Sequence, residues 1–152
     1  MANISFYEGD VLGAQCNVIV HQINSSGGFG SGVAGAIRKK HPEIAEEYRK
    51  TYAAGELRLG MLYTWKTDDG KWIANLCAQS EYGYDGRQYT SYDALWNSLN
   101  LLANWCLRNE ITDIAMPYGM SSVRGGANWD VVLQMVKSAF ENTNINIGIY
   151  KL

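Results

Sequence analysis

The sequence predicts an α/β protein of three layers, α/β/α, on a central mixed, mostly parallel sheet. Three observations carry that reading. Short strand-like runs mostly alternate with amphipathic helical segments, the pattern of a sheet covered by helices on both faces. One run, 17–22 (NVIVHQ), is β-branched and apolar, as in a strand buried on two sides. Two Gly/Ser-rich segments leave strands and run straight into helices, the type of connection where such folds bind ligands. With 152 residues, 47% of them hydrophobic and 18% charged, the chain can build one packed core. Residues 1–152 are therefore read as a single domain, and a disordered tail is excluded.

The elements follow in order. Residues 3–7 alternate weakly and read as the first strand. The 17–22 strand comes next, then the glycine-rich segment 23–32. Val33-Ala34 and Ile37 open a helix that ends near His41-Pro42, because the residue before a proline is pushed out of the helical region. Pro42 suits the first turn of a second helix over 43–53, whose EIAEEYRK stretch marks an exposed face. Runs 60–65 and 71–77 flank Asp68-Asp69-Gly70 and predict a hairpin. A polar Tyr/Gly loop covers 79–90. Ser91 is placed to cap a helix over 92–108, with Leu95, Leu99, Leu102, Ala103 and Cys106 at helical spacing. A short strand, 113–116, leads into the second Gly/Ser-rich loop, 117–128. A helix over 129–140 turns Val132, Met135, Val136 and Phe140 inward, and 145–150 forms the closing strand.

Glycine is the unusual part of the composition. Of 16 glycines, Gly27, Gly28, Gly30, Gly32 and Gly35 fall within nine consecutive residues, and the chain has only two prolines. A local cluster of this kind means that the backbone itself must approach something. Charge narrows the partner. The formal net charge is -2, from 13 basic and 15 acidic residues, so no extended nucleic-acid surface is expected. Arg38-Lys39-Lys40 reads as a solvated helix end. The three cysteines lie far apart without CxxC or Cys/His spacing, so neither zinc nor a disulfide framework is expected. Cys77 and Cys106 read as small core hydrophobes. No apolar stretch reaches the roughly 18 residues that span a bilayer, and MANISFYEGD lacks the features of a leader. A cytoplasmic monomer without membrane partner, metal or cofactor is expected.

The two loops carry the chemistry. Free N–H groups at a helix N-terminus bind anions, and glycine lets them come close. Loops 24–32 and 118–126 on one edge suit an extended anionic ligand such as a diphosphate. Neither is a Walker loop or a dinucleotide fingerprint. Asp10, after Gly9, is placed to accept a hydrogen bond from an exocyclic amine such as adenine N6, although a lone Asp in a turn is unremarkable. His21 lies inside a buried run and reads as a hydrogen-bonded core histidine rather than a base. Tyr82, Tyr84 and Tyr89 either line the groove or cover it.

Read together, Gly9-Asp10-Val11-Leu12, Val18 to Asn24, Gly30-Ser31-Gly32-Val33-Ala34 and Met116-Pro117 resemble a macrodomain over nearly the whole chain. Thr90 to Leu95 and the ending Ile149 to Leu152 are similar to the group holding terminal ADP-ribose protein glycohydrolases and yeast-type ADP-ribose 1''-phosphate phosphatases. The resemblance implies ADP-ribose, free or on a protein, as ligand. It implies that Asp10 and the Val11 backbone hold the adenine, with Tyr150 bordering it. Asn24 would face the distal ribose. Gly30, Ser31, Gly32 and Val33 would wrap the diphosphate and ribose, and Ser121, Ser122, Val123 and Arg124 would clamp the diphosphate from the other side.

The departures concern catalysis. Ala34 stands where one hydrolase branch places Asp. Gln79 stands nearest the Lys of the terminal glycohydrolases and cannot form an amine adduct. Their second-loop Asp falls near Arg124 or Gly125. Gly28 stands where the phosphatase places His, and Ser121-Ser122-Val123 replaces the usual Gly-x-Gly. Asn24, fixing the ribose, and Asp85, as a spare carboxylate base, are the remaining catalytic candidates. An enzyme hydrolysing an ADP-ribose derivative is expected, with a non-catalytic ADP-ribose or related nucleotide binding module as the alternative.

Overall fold

A computed structural model describes residues 2–30, 32–81, 88–122 and 125–152. It contains six strands, β1 (Asn3–Glu8), β2 (Val18–Asn24), β3 (Leu62–Lys66), β4 (Trp72–Gln79), β5 (Asp113–Pro117) and β6 (Asn146–Lys151). Four helices accompany them: α1 (Gly32–Lys40), α2 (Pro42–Ala53), α3 (Tyr92–Arg108) and α4 (Trp129–Ala139). The strands form one sheet in the order β1-β6-β5-β2-β4-β3. All pairings are parallel except the β3–β4 hairpin.

Alternation along the central strands builds a core on each face. Val18 and Val20 of β2 pack with Leu95, Leu99 and Leu102 of α3 and Val132 and Val136 of α4. Ile19 and Ile23 turn the other way, onto Ile37 of α1 and Ile44 and Tyr48 of α2. The three-layer, mostly parallel arrangement expected from the sequence is thus present, and Cys77 and Cys106 are fully buried within it. Burial pushes their thiols up, to about 11 and about 12.

The helix boundaries follow local chemistry. Ser91 Oγ accepts from Ala94 N at 3.2 Å and caps α3, and Asn128 Oδ1 accepts from Asp130 N at 2.9 Å and caps α4. Pro42 starts α2 after His41, and Arg38, Lys39 and Lys40 occupy the last turn of α1. Some expected ends shift. Gly60 has φ +88° and lies before β3 rather than in it. Gln79 closes β4 instead of opening the loop, and Phe140 caps α4 from outside. A short 3-10 turn, Val11–Gly13, follows β1; its Asp-initiated turn was legible only as a turn residue.

Parallelism has one functional result. The carboxyl ends of β1, β2, β4, β5 and β6 emerge at the same edge, so Asp10, the loop after Asn24, Gln79, the loop after Pro117 and Tyr150 are spread along that one edge. The fold that presents them rests on the α3 seam. Leu99→Ala, at a fully buried position, is expected to cost about 2–5 kcal/mol, read as a lowered urea midpoint with an unchanged slope.

Candidate functional site

The first loop is organised by the last residue of β2. Asn24 is buried, and its Oδ1 accepts from Ser26 N and Ser26 Oγ at 3.0 Å and from Gly28 N at 3.2 Å. Its Nδ2 donates to Gly28 O at 2.7 Å. A carboxamide used this way folds the following residues into a tight turn. Tyr48 of α2 supports it from below. Its hydroxyl lies 2.8 Å from Asn24 O and 2.9 Å from Asn24 Oδ1, and accepts from Gly27 N at 3.2 Å. Gly27 has φ +100°, and a Cβ there would press on the Tyr52 ring at 2.9 Å, so this position needs glycine. Phe29 plugs the loop into the core between His21, edge-on at 5.6 Å, and Tyr48 at 4.8 Å. Ser26, Gly27, Gly30 and Gly32 remain exposed. The N–H groups of the first turn of α1, which starts at Gly32, have no intrahelical acceptor.

The second loop is tethered to β2. Ser121 adopts φ +72°, an uncommon conformation for a residue with a side chain. Its Oγ donates to Gln22 Oε1 at 2.5 Å. Its hydroxyl is therefore turned to the floor of the cleft. Ser122 Oγ is buried with no partner among the described residues. Gly126 N and Ala127 N bond back to Ser122 O and Ser121 O.

The third part lies beyond β1 and β6. Asp10 is exposed, and its Oδ1 accepts from Leu12 N at 3.0 Å, capping the Val11–Gly13 turn. Its other carboxylate oxygen has no partner among the described residues. Lys40 Nζ donates to Leu12 O at 3.1 Å and Lys71 Nζ to Ala14 O at 2.9 Å, which ties this segment to α1 and to the residue just before β4. Tyr150 stacks on Tyr7, its register partner in β1, with centroids 5.1 Å apart. Burial raises the Tyr150 phenol above its ordinary value. A groove of about 750 Å³ runs from this pair toward Asp113 and Asn146, at the opposite ends of the strands.

His21 is buried, with Nε2 2.6 Å from Asn75 Oδ1. Asn75 Nδ2 donates to Tyr63 O and Ile73 O, so Oδ1 is the acceptor and His21 carries its proton on Nε2. Burial pulls its pKa down to about 4. His21 is therefore a neutral core donor, as the sequence reading favoured. Among the described residues no three His, Cys, Asp or Glu side chains converge as a metal site, and no helix is long and apolar enough to cross a membrane.

The structure thus brings Asp10, Val11, Asn24, Gly30, Gly32, Val33, Ser121, Ser122 and Tyr150 to one edge. Ser31, Asp85, Val123 and Arg124, with Tyr82 and Tyr84, lie outside the described residues. Tyr48, Gln22, Thr90 and Tyr7 were missed. Asn-Ser-Ser-Gly after a strand signalled the Asn24 turn, but nothing local marked the distant residues that hold it.

The Macro domain family profile matches residues 20–136. The chain belongs to the macrodomain family. It is 26% identical to the ADP-ribose glycohydrolase OARD1 of Bos taurus, over 99% of this macrodomain and 93% of that protein. The solved macrodomain of Mycobacterium tuberculosis DarG superposes with a TM-score of 0.86 at 26% identity, covering 99% of this chain and 98% of that one. Thermosipho africanus DarTG in complex with ADP-ribose shares the fold, with a TM-score of 0.82 at 18% identity over 99% of this chain and 42% of that one.

Two outcomes follow from this geometry. Tyr48→Phe removes the hydroxyl under the first loop; about 1–3 kcal/mol of stability should be lost, with faster amide exchange at Gly27. His21 is held neutral, so the unfolded chain takes up its proton first as pH falls. Stability should be intact above pH 6.5 and decline between 6.5 and about 4, by up to about 3 kcal/mol in total. Urea midpoints against pH should show that decline in the wild type and a smaller one in His21→Gln.

Proposed function

We propose that this macrodomain binds ADP-ribose along the edge described above and hydrolyses an ADP-ribose derivative: an ADP-ribosylated protein, O-acetyl-ADP-ribose or ADP-ribose 1''-phosphate. The observation that carries the reading is the alignment on one sheet edge of a free carboxylate oxygen at Asp10, a glycine loop leading into α1, and a second loop with a buried, unpartnered Ser122 hydroxyl. An exocyclic amine, a diphosphate and a sugar fit that series in order. Asp10 and the Val11 backbone take the adenine beside Tyr150. Gly30 to Val33 and Ser121 to Arg124 close on the diphosphate and distal ribose, whose hydroxyls face the Asn24 turn. The bound diphosphate and Asp85 orient the water that attacks the anomeric carbon or the phosphate. The names of its relatives, ADP-ribose glycohydrolase and DNA ADP-ribosyl glycohydrolase, support hydrolysis. The protein acts as a cytoplasmic monomer that needs no metal or cofactor.

A second reading, binding without turnover, draws on two residues. Gln79, a carboxamide, closes β4, and Ala34 lies within α1, so both positions lack a base or a nucleophile.

Calorimetry with ADP-ribose should show binding, and ADP-ribosylated Glu, ADP-ribosylated Ser and the 1''-phosphate should then be tried for release of ADP-ribose. No heat sinks the proposal; binding without release selects the second reading. Asp10→Ala should weaken ADP-ribose about tenfold while leaving ribose 5-phosphate unchanged. Equal losses for the two ligands would remove the adenine role.

A further inference from the structure

We infer that Gln79 presents its carboxamide N–H₂ group, as a hydrogen-bond donor, to an oxygen of the ligand held between the two loops. This rests on the proposal that ADP-ribose binds there. The direction of a relay of four hydrogen bonds carries it. The relay begins at Ser121 O, a carbonyl that only accepts. Thr90 Oγ1 lies 2.9 Å from it, so the single proton of the Thr90 hydroxyl points there. Thr90 Oγ1 must therefore accept in its other contact, from Gln22 Nε2 at 2.8 Å. That sets the Gln22 amide. Its Oε1 faces Ser121 Oγ, which donates at 2.5 Å, and its second N–H faces Gln79 Oε1 at 3.0 Å. Every polar atom of Gln22 is engaged, and its flipped form would set a carbonyl against an oxygen with no proton to give. Gln79 Oε1 is thus the acceptor, and its Nε2 is turned away from the relay.

Gln79 Nε2 has no partner among the described residues. The residue is 7% exposed, and Nε2 is not among the fully buried unpartnered atoms, so this donor stands at the surface of the cleft, where water or a ligand oxygen can accept from it. Its position says what would. Gln79 O accepts from Ser25 N at 2.9 Å, at the root of the first loop, and the relay ties the same residue to Ser121 of the second. The relay also packs against the bare Cα of Gly125, where a Cβ would collide with Thr90 Oγ1 and Ser121 O. An N–H₂ group fixed there meets phosphate or ribose oxygens, and it would repel a ligand that offered only donors.

The test uses ¹⁵N-labelled full-length protein and ADP-ribose. The Gln79 side-chain N–H₂ resonances should move on titration, with an affinity matching calorimetry. Gln79→Glu keeps an oxygen for Gln22 but has no donor; it should lose at least about tenfold in ADP-ribose affinity at an unchanged thermal midpoint. Side-chain resonances that stay still at saturation would overturn the inference, as would a Gln79→Glu variant of wild-type affinity. If Asp10→Ala still weakens binding in that case, only the role of Gln79 falls. If the wild type takes up no ADP-ribose, the underlying proposal falls and the inference with it.

Discussion

The buried carboxamide of Asn24 is the constraint around which the ligand edge is arranged. It ends the central strand, where a polar side chain loses water and must find partners in the protein. The residues that follow provide them by turning back, and Tyr48 completes the set from α2. The first loop is therefore an outgrowth of the core rather than a flexible connection. A loop prepared in this way loses little conformational entropy when a ligand arrives, and ligand binding gains by that amount.

The second loop is prepared differently. Its left-handed Ser121 is held by a side chain from β2 and a carbonyl contact with Thr90. Both loops thus bond to one strand, the second through Gln22 and the first through Asn24. The same arrangement leaves the cleft rich in carboxamides and hydroxyls and poor in charged groups among the described residues. Such groups orient a substrate and stabilise developing charge well; they take up protons poorly.

Much of the fold was legible because it is written in local patterns. The period of α3 and the cap at Ser91 placed that helix correctly, and the β-branched run of β2 marked a strand buried on both faces. The site was legible only in part. The glycine-rich segment announced close backbone approach, and Asp10 stood out by its place after a strand. The residues that give the site its shape were silent because they act across the sequence: Tyr48 lies 24 positions from Asn24, and Ser121 lies 99 from Gln22. Asn24 itself illustrates the limit. The resemblance implied a sugar contact for it, and its hydrogen bonds add a part no local pattern announced, that of building the loop.

The two lysines under the Val11–Gly13 turn have a consequence of their own. Lys40 belongs to the helix whose N-terminus closes the first loop, and it donates to the carbonyl of Leu12. The segment after Asp10 is thereby joined by a hydrogen bond to the helix that follows the glycines. The two ends of a dinucleotide-like ligand then do not meet independent sites: settling one end removes motion at the other.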